Sequence, residues 1–211
     1  MGSEKWDFDK RAASWDEDPG RIGLANDIAA AIAEENILAP DSDVLEFGCG
    51  TGLLTLRLHP LVRSITGVDS SPGMLGVCRA KIDSLHLDNI KTYYLEPEKG
   101  RLPEGSYHLV VCSMTLHHVR ETRPLIEQFA GIIMPGGYLC IADLDREDGG
   151  FHGENDTVFH SGFDRAELRR ILTDAGFDDI RERTAANVVK RVPDGEKRSF
   201  SVFLMTGRKK V

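Results

Sequence analysis

The residues best able to do chemistry stand in two groups. The first is the stretch DVLEFGCGTGLL, residues 43–54, where Gly48, Gly50 and Gly52 alternate directly after an apolar run ending in Glu46-Phe47. A glycine turn between a strand and a helix lets a ligand reach bare backbone, because no Cβ intrudes. In an open α/β sheet such turns face the crevice at the carboxyl ends of the strands. The second group is histidine: His117-His118 follow an apolar run at 107–113, and His152 and His160 lie in a long polar stretch at 145–162. Imidazole changes charge near neutral pH, which makes these side chains candidate general bases. His118, His152 and His160 are the candidate catalytic residues. His117 adjoins the first, and Asp143 and Asp145 stand just before the long stretch.

The spacing around the glycines narrows the ligand. A triphosphate loop needs Gly-Lys-Ser/Thr, and here Leu53-Leu54 follow Gly52. A dinucleotide fingerprint GxGxxG begun at Gly48 would place its third glycine where Leu53 stands. Glu46, just before the loop, would repel a phosphate and attract an ammonium. Asp69 closes the next apolar run, 17 residues after Gly52. A carboxylate there can accept from both hydroxyls of a ribose. The ligand implied has a ribose and a positive group but no phosphate.

The elements that must carry these residues follow from apolar periodicity. Helical spacing covers 26–36, 52–59, 73–86 (with Pro72 at its start) and 123–134, the last ended by a Pro135-Gly136-Gly137 turn. Short apolar runs predict strands at 43–48, 64–69, 91–96, 107–113 and 138–144. This alternation argues for a parallel sheet with helices on both faces. Asp164 and Glu167 form a capping box before a helix that stops at Gly176. Two alternating segments flanking Pro193-Asp194-Gly195-Glu196 predict an antiparallel hairpin at the end of the sheet. Residues 1–211 read as one domain: an N-terminal helical cap (1–40), a binding core (41–144), a long loop suited to an acceptor-site lid (145–162), and a helix plus hairpin (163–211).

Bulk properties exclude several classes. Hydrophobic residues make up 41% and charged residues 28%, an ordinary globular balance. A net charge of −8 speaks against a nucleic-acid surface, which needs a basic stripe. No apolar run approaches the roughly 18 residues of a membrane helix, and the polar start lacks a signal-peptide core, so the expected location is the cytoplasm. Cys49, Cys78, Cys112 and Cys140 form no CxxC pair and read as buried free thiols. No metal motif is present in the histidine spacing.

Taken together, VLEFGCGTG resembles the first motif of the class I S-adenosylmethionine-dependent methyltransferases. GVDSSPGML, LEPEKGRLPEGSYHLVV, LHHV and MPGGYLCIADL are similar to the motifs that follow it, in order and over nearly the whole chain. The resemblance implies an α/β, Rossmann-like sandwich with a seven-stranded, mostly parallel sheet and an antiparallel C-terminal hairpin. It also implies S-adenosyl-L-methionine as cofactor, with S-adenosyl-L-homocysteine as product. By position, Glu46 matches the acid facing the methionine amino group. Gly48, Cys49, Gly50 and Gly52 match the loop beneath methionine and ribose, and Asp69 matches the ribose acid. Ser70 and Met74 lie beside the adenosine, Leu95 and Glu96 beside the adenine. Ser113 and Met114 match the strand end that meets the methionine. Phe8 and Trp15 resemble aromatics that close over the cofactor. His108 and Glu96 depart from the family's pattern, each standing where an Asp is usual.

Methyl transfer from a sulfonium is an in-line displacement with a good leaving group, so the protein mainly aligns reactants and excludes water. A general base is needed only when the nucleophile carries a proton. SMTLHHV stands where amino-methyltransferases of DNA carry an Asn/Asp-Pro-Pro-Tyr/Phe element, which favours a small-molecule acceptor, as does the resemblance of LHHV and IMPGG to the quinone-biosynthesis group. The expected partners are that acceptor, no nucleic acid and no membrane, in a monomer or homodimer. Two other readings remain at this point: a non-catalytic methyltransferase-like binding protein and a nicotinamide oxidoreductase.

Overall fold

The computed structural model describes residues 7–95, 100–153, 155–192 and 195–211. Glu96 and the Pro193-Asp194 part of the hairpin turn lie outside these. The strands are β1 (Asp43–Phe47), β2 (Ser64–Asp69), β3 (Ile90–Tyr94), β4 (Tyr107–Ser113), β5 (Ile133–Leu144), β6 (Phe177–Arg191) and β7 (Lys197–Lys209). They form one seven-stranded sheet in the order β3-β2-β1-β4-β5-β7-β6. β1 to β5 are parallel, β7 is antiparallel to β5, and β6 is antiparallel to β7. The expected mixed sheet with a terminal hairpin is therefore present.

The helices are α1 (Phe8–Arg11), α2 (Pro19–Glu34), α3 (Thr55–Leu58), α4 (Pro72–Ser84), α5 (Thr122–Ile132) and α6 (Arg165–Asp174). The strand period of two divides the core between the two faces. Val44, Leu109, Val111, Cys140 and Ala142 pack with Ile28 and Ile32 of α2. Leu45, Val110, Cys112, Leu139 and Ile141 pack with Ile126 and Phe129 of α5 and with Leu168 and Leu172 of α6. Cover on both faces is why these strands read as continuous apolar runs. All four cysteines are buried and free.

The capping signals act as expected. Asp164 accepts the Glu167 N–H at 2.9 Å, and Ser71 accepts the Met74 N–H at 3.1 Å at the head of α4. Two sequence expectations are corrected. The helix expected over 52–59 shrinks to α3, followed by a 3-10 turn at His59–Leu61. Gly52 holds a positive φ of 84° before it, and Pro60 has no N–H to continue an α-helical ladder. The Pro135-Gly136-Gly137 turn is absorbed into β5, where Ile133 pairs with Tyr107 but Tyr138 pairs with Leu109. The strand bulges there because Pro135 cannot donate and Gly136 takes a φ of 79°.

From β1 the chain winds to β2 and β3 on one side, then returns to β4 and β5 on the other. A ligand crevice is expected where that order reverses, at the carboxyl ends of β1 and β4. The stretch after β5 closes on itself: Arg146 N–H reaches Phe163 O at 3.0 Å and Glu147 N–H reaches Ser161 O at 2.9 Å. No helix among the described residues is long and apolar enough to cross a membrane.

Candidate active site

A cavity of about 460 Å³ occupies this crevice. Its floor is the glycine turn after β1. Gly48 has a φ of 73°, and a Cβ there would sit 2.2 Å from Thr115 Oγ1. Glycine is thus required by both backbone and neighbour. Gly52 lies outside the cavity wall, and a Cβ on it would meet Cys78 Sγ at 2.8 Å. Its role is close packing of the turn on α4. Gly50 borders the cavity and donates its N–H to Asp69 Oδ2 at 2.8 Å.

Asp69 ends β2 and accepts the Ser71 N–H on Oδ1, also at 2.8 Å. Burial raises its proton affinity, and the backbone N–H groups of Ser71, Gly50 and Ser70 oppose that rise. Each carboxylate oxygen retains acceptor capacity toward the cavity. Glu46, near the end of β1, is only 2% exposed. Its Oε2 accepts the Thr55 hydroxyl at 2.5 Å. Burial pushes the Glu46 pKa up to about 8, with Thr55 opposing. A carboxyl so placed gains most from a cation brought to it.

The wall also contains Ser70, Met74, Leu95, Cys49, Ser113 and Met114. Met114 holds a φ of 50°, uncommon outside glycine, and its N–H bonds to Ala142 O at 2.8 Å. Strained backbone at the end of a central strand is a recurrent mark of functional sites.

The N-terminal segment straps the opening. Asp9 Oδ1 accepts the Ser71 hydroxyl at 2.6 Å and the Gly73 N–H at 2.7 Å. Asp16 accepts the Thr51 hydroxyl at 2.6 Å and pairs with Lys81. These anchors bring Phe8 and Trp15 into the cavity wall with ring centroids 5.8 Å apart. Removing Asp9 leaves one charged anchor. Asp9→Ala is expected to speed tryptic cleavage after Lys10 and Arg11 roughly tenfold, since a charged hydrogen bond contributes about 1.5–3 kcal/mol. Global melting should barely shift. Equal cleavage rates would show that Asp9 does not hold the strap.

The histidines divide. His117 and His118, in a 3-10 turn after β4, and His152 from the long loop all border the cavity. Their ring centroids lie 4.2 Å (117 to 118), 4.6 Å (117 to 152) and 5.7 Å (118 to 152) apart. His118 Nδ1 faces Thr157 O at 2.8 Å, so it carries the proton. Burial, with help from His117, lowers the His118 pKa to about 4. Burial and the two neighbouring imidazoles lower the His152 pKa to about 3, and its Nε2 is buried without a partner among the described residues. His160 is not part of the wall. Its Nε2 donates to Val119 O at 2.9 Å and its ring packs on Phe163, which ties the loop down.

His117 stands among the possible bases of the sequence but not among the three catalytic candidates. Its Nδ1 lies 2.7 Å from Asp143 Oδ1, a contact across 26 residues. Asp145 is taken up by Arg165, at 2.6 Å to both nitrogens, and by the Ser201 hydroxyl. Arg21 and Lys190 also border the cavity and were not anticipated. Arg21 lies 3.8 Å from the Trp15 ring centre, and Lys190 donates to Phe151 O at 2.6 Å. Among the described residues no cluster of three or more His, Cys, Asp or Glu side chains is arranged to hold a metal.

Residues 44–137 match a family model described as a methyltransferase domain. The chain is 25% identical over 203 residues to an uncharacterized methyltransferase of Schizosaccharomyces pombe, covering 82% of this chain and 72% of that one. It is 29% identical over 141 residues to a ubiquinone biosynthesis O-methyltransferase of Xanthomonas campestris, covering 65% and 58% respectively. The chain thus spans less than two thirds of that relative's length. A SAM-dependent methyltransferase from Aquifex aeolicus shares the fold, with a TM-score of 0.67 and 22% identity over 95% of this chain and 99% of the other. So does a putative Haloferax volcanii methyltransferase solved with the Trm112 methyltransferase activator, with a TM-score of 0.74 and 20% identity over 99% and 100%. Sequence motifs, strand order and these matches agree: residues 44–137 match a methyltransferase domain, and the chain has the Rossmann-like fold of the class I S-adenosylmethionine-dependent methyltransferases.

Proposed function

We propose that this chain transfers a methyl group from S-adenosylmethionine to a small-molecule acceptor. The observation that carries the proposal is Glu46: a buried carboxyl beside a glycine turn, with Thr55 as its side-chain partner and a raised proton affinity. Such a group selects an ammonium and rejects a phosphate. Asp69 adds two oxygens suited to a ribose, and the apolar Met74 and Leu95 beyond it suit a flat heterocycle. The residues therefore fit the cofactor.

In this reading Glu46 holds the amino group, and Gly48, Cys49 and Gly50 offer backbone beneath methionine and ribose. Asp69 holds the ribose, Ser70, Met74 and Leu95 flank the adenosine, and Ser113 and Met114 meet the methionine. Glu96 lies outside the described residues. When bound, the cofactor supplies a methyl carbon on a sulfonium with a neutral thioether as leaving group. The chain's part is to orient an acceptor in line and exclude water, which Phe8 and Trp15 of the strap and His152 of the loop do by covering the cavity. Alignment of this kind lowers a barrier by up to about 7–11 kcal/mol. A small acceptor is favoured by the strapped cavity and the net charge of −8. The Xanthomonas relative's name favours oxygen as the methylated atom.

Calorimetric titration is expected to give one binding site with about micromolar affinity for both S-adenosylmethionine and S-adenosylhomocysteine. A folded protein that binds neither would end this reading.

A further inference from the structure

We propose that His117, positioned by Asp143, is the general base that takes the proton from a planar hydroxyl acceptor. The inference rests on the methyl-transfer reading above and adds the acceptor class and the group that activates it.

The geometry singles out one histidine. His117 is 1% exposed and Asp143 is fully buried, yet His117 is one of the residues that line the cavity. Asp143 Oδ1 accepts from His117 Nδ1 at 2.7 Å and from the Leu144 N–H at 2.7 Å, and Oδ2 accepts the His117 N–H at 3.3 Å. Two backbone donors on one carboxylate fix it as an acceptor, so His117 Nδ1 carries the hydrogen. Nε2 is left with its lone pair, the form a base needs. Asp143 sits near the end of β5 and His117 just past the end of β4, adjacent strands that hold the pair rigidly. The other histidines lack this arrangement. A carbonyl, not a carboxylate, orients His118, His152 Nε2 has no partner among the described residues, and His160 lies outside the wall.

The surroundings describe the acceptor. Phe8 meets His118 edge-on at 5.2 Å, and Phe151 meets His152 at 4.8 Å. With the His117–His118 and His117–His152 contacts, this gives one continuous aromatic wall, which suits a flat ring. Arg21 and Lys190 border the same cavity, and cations there favour an acceptor that gains negative charge on oxygen. The groups facing His117 are Asp143 from β5, His118 from its own turn and His152 from the loop, with Lys190 of β6 acting on His152.

In the step itself, His117 Nε2 takes the hydroxyl proton as the acceptor oxygen bonds to the methyl carbon. The carbon–sulfur bond breaks with its electron pair left on sulfur, and Asp143 balances the imidazolium formed.

The test uses two phenolic probes with wild type, His117→Gln and Asp143→Asn. In the S-adenosylhomocysteine complex, wild type is expected to shift ionisation of bound 4-nitrocatechol to lower pH in its visible spectrum, and both variants to reduce or abolish the shift. In turnover with catechol, His117→Gln is expected to lose roughly 10²- to 10⁴-fold in kcat/KM, a loss that shrinks as pH rises toward the probe's own ionisation. Asp143→Asn should lose roughly 10²-fold or more. Both variants should keep S-adenosylmethionine affinity within a few fold, which reports on folding. A wild type that binds no cofactor overturns the cofactor reading and this one together. A wild type that binds cofactor but neither binds nor methylates these probes overturns this proposal alone, as does a His117→Gln variant with unchanged spectrum and pH profile.

Discussion

Asp69→Ala is expected to lower S-adenosylmethionine affinity by at least roughly a hundredfold in calorimetric titration. Two losses combine. The ribose loses its acceptors, each charge-assisted hydrogen bond contributing about 1.5–3 kcal/mol. The site also loses its frame, since the same carboxylate fixes the Gly50 N–H of the glycine turn and the Ser71 N–H at the head of α4, each at 2.8 Å. Asp69→Asn separates these effects. An amide keeps one oxygen, so its NH2 must face one of the two backbone donors and leave it unpaired, at a cost of about 1–3 kcal/mol. Asn should therefore weaken binding and also lower the unfolding free energy. If Asp69→Ala binds the cofactor as wild type does, Asp69 is only a helix-start residue and the ribose assignment falls.

The second large effect is a pH dependence centred on Glu46. With a folded pKa of about 8 against an ordinary 4.5, the cofactor-free protein holds a proton on Glu46 at neutral pH. An ammonium ligand needs the carboxylate, so binding must release that proton. Affinity should rise up to about tenfold per pH unit from pH 6 towards 7.5 and fall again above about pH 8 as the ligand's α-amino group loses its own proton, with proton uptake by the buffer visible in the calorimetric enthalpy below that point. The same shift sets a stability term. A raised folded pKa stabilises the native state below the unfolded value, and that contribution is lost as pH climbs through the folded pKa. Glu46→Gln removes the titration. It should leave stability little changed near pH 4.5, raise it by a few kcal/mol near pH 8, and flatten the pH dependence of binding while weakening it. Equal binding slopes for wild type and Glu46→Gln would mean that another group meets the amino acid end.

These two acids also mark how far the sequence reached. Glu46 and Asp69 were legible because each lies one residue from, or at, the end of a short apolar strand, and strand ends in a parallel sheet converge on one crevice. The strand assignments held because burial on both faces writes a plain apolar run. The glycine-loop helix was overestimated, since periodicity does not report the positive φ of Gly52 or the missing donor of Pro60. The Pro135-Gly136-Gly137 segment misled for a related reason: a residue that breaks a ladder need not end the strand when a bulge absorbs it.

Other features were invisible for want of any local signature. Asp9 and Asp16 read as ordinary acids in a polar segment until folding set them against Ser71 and Thr51, 62 and 35 residues away. His117 and His118 are adjacent in the chain and indistinguishable by type. The fold gives one a buried carboxylate and the other a carbonyl. His160 is a histidine in the expected loop, yet its ring is spent on Val119 O. The sheet, the glycine turn and the two acids at the crevice could be read from the residues alone, because strand period and turn chemistry are local. Which histidine meets a buried carboxylate, and which residues line the cavity from the N-terminal segment, came from the folded chain. Those depend on side-chain contacts between elements far apart in the chain, where spacing carries no information.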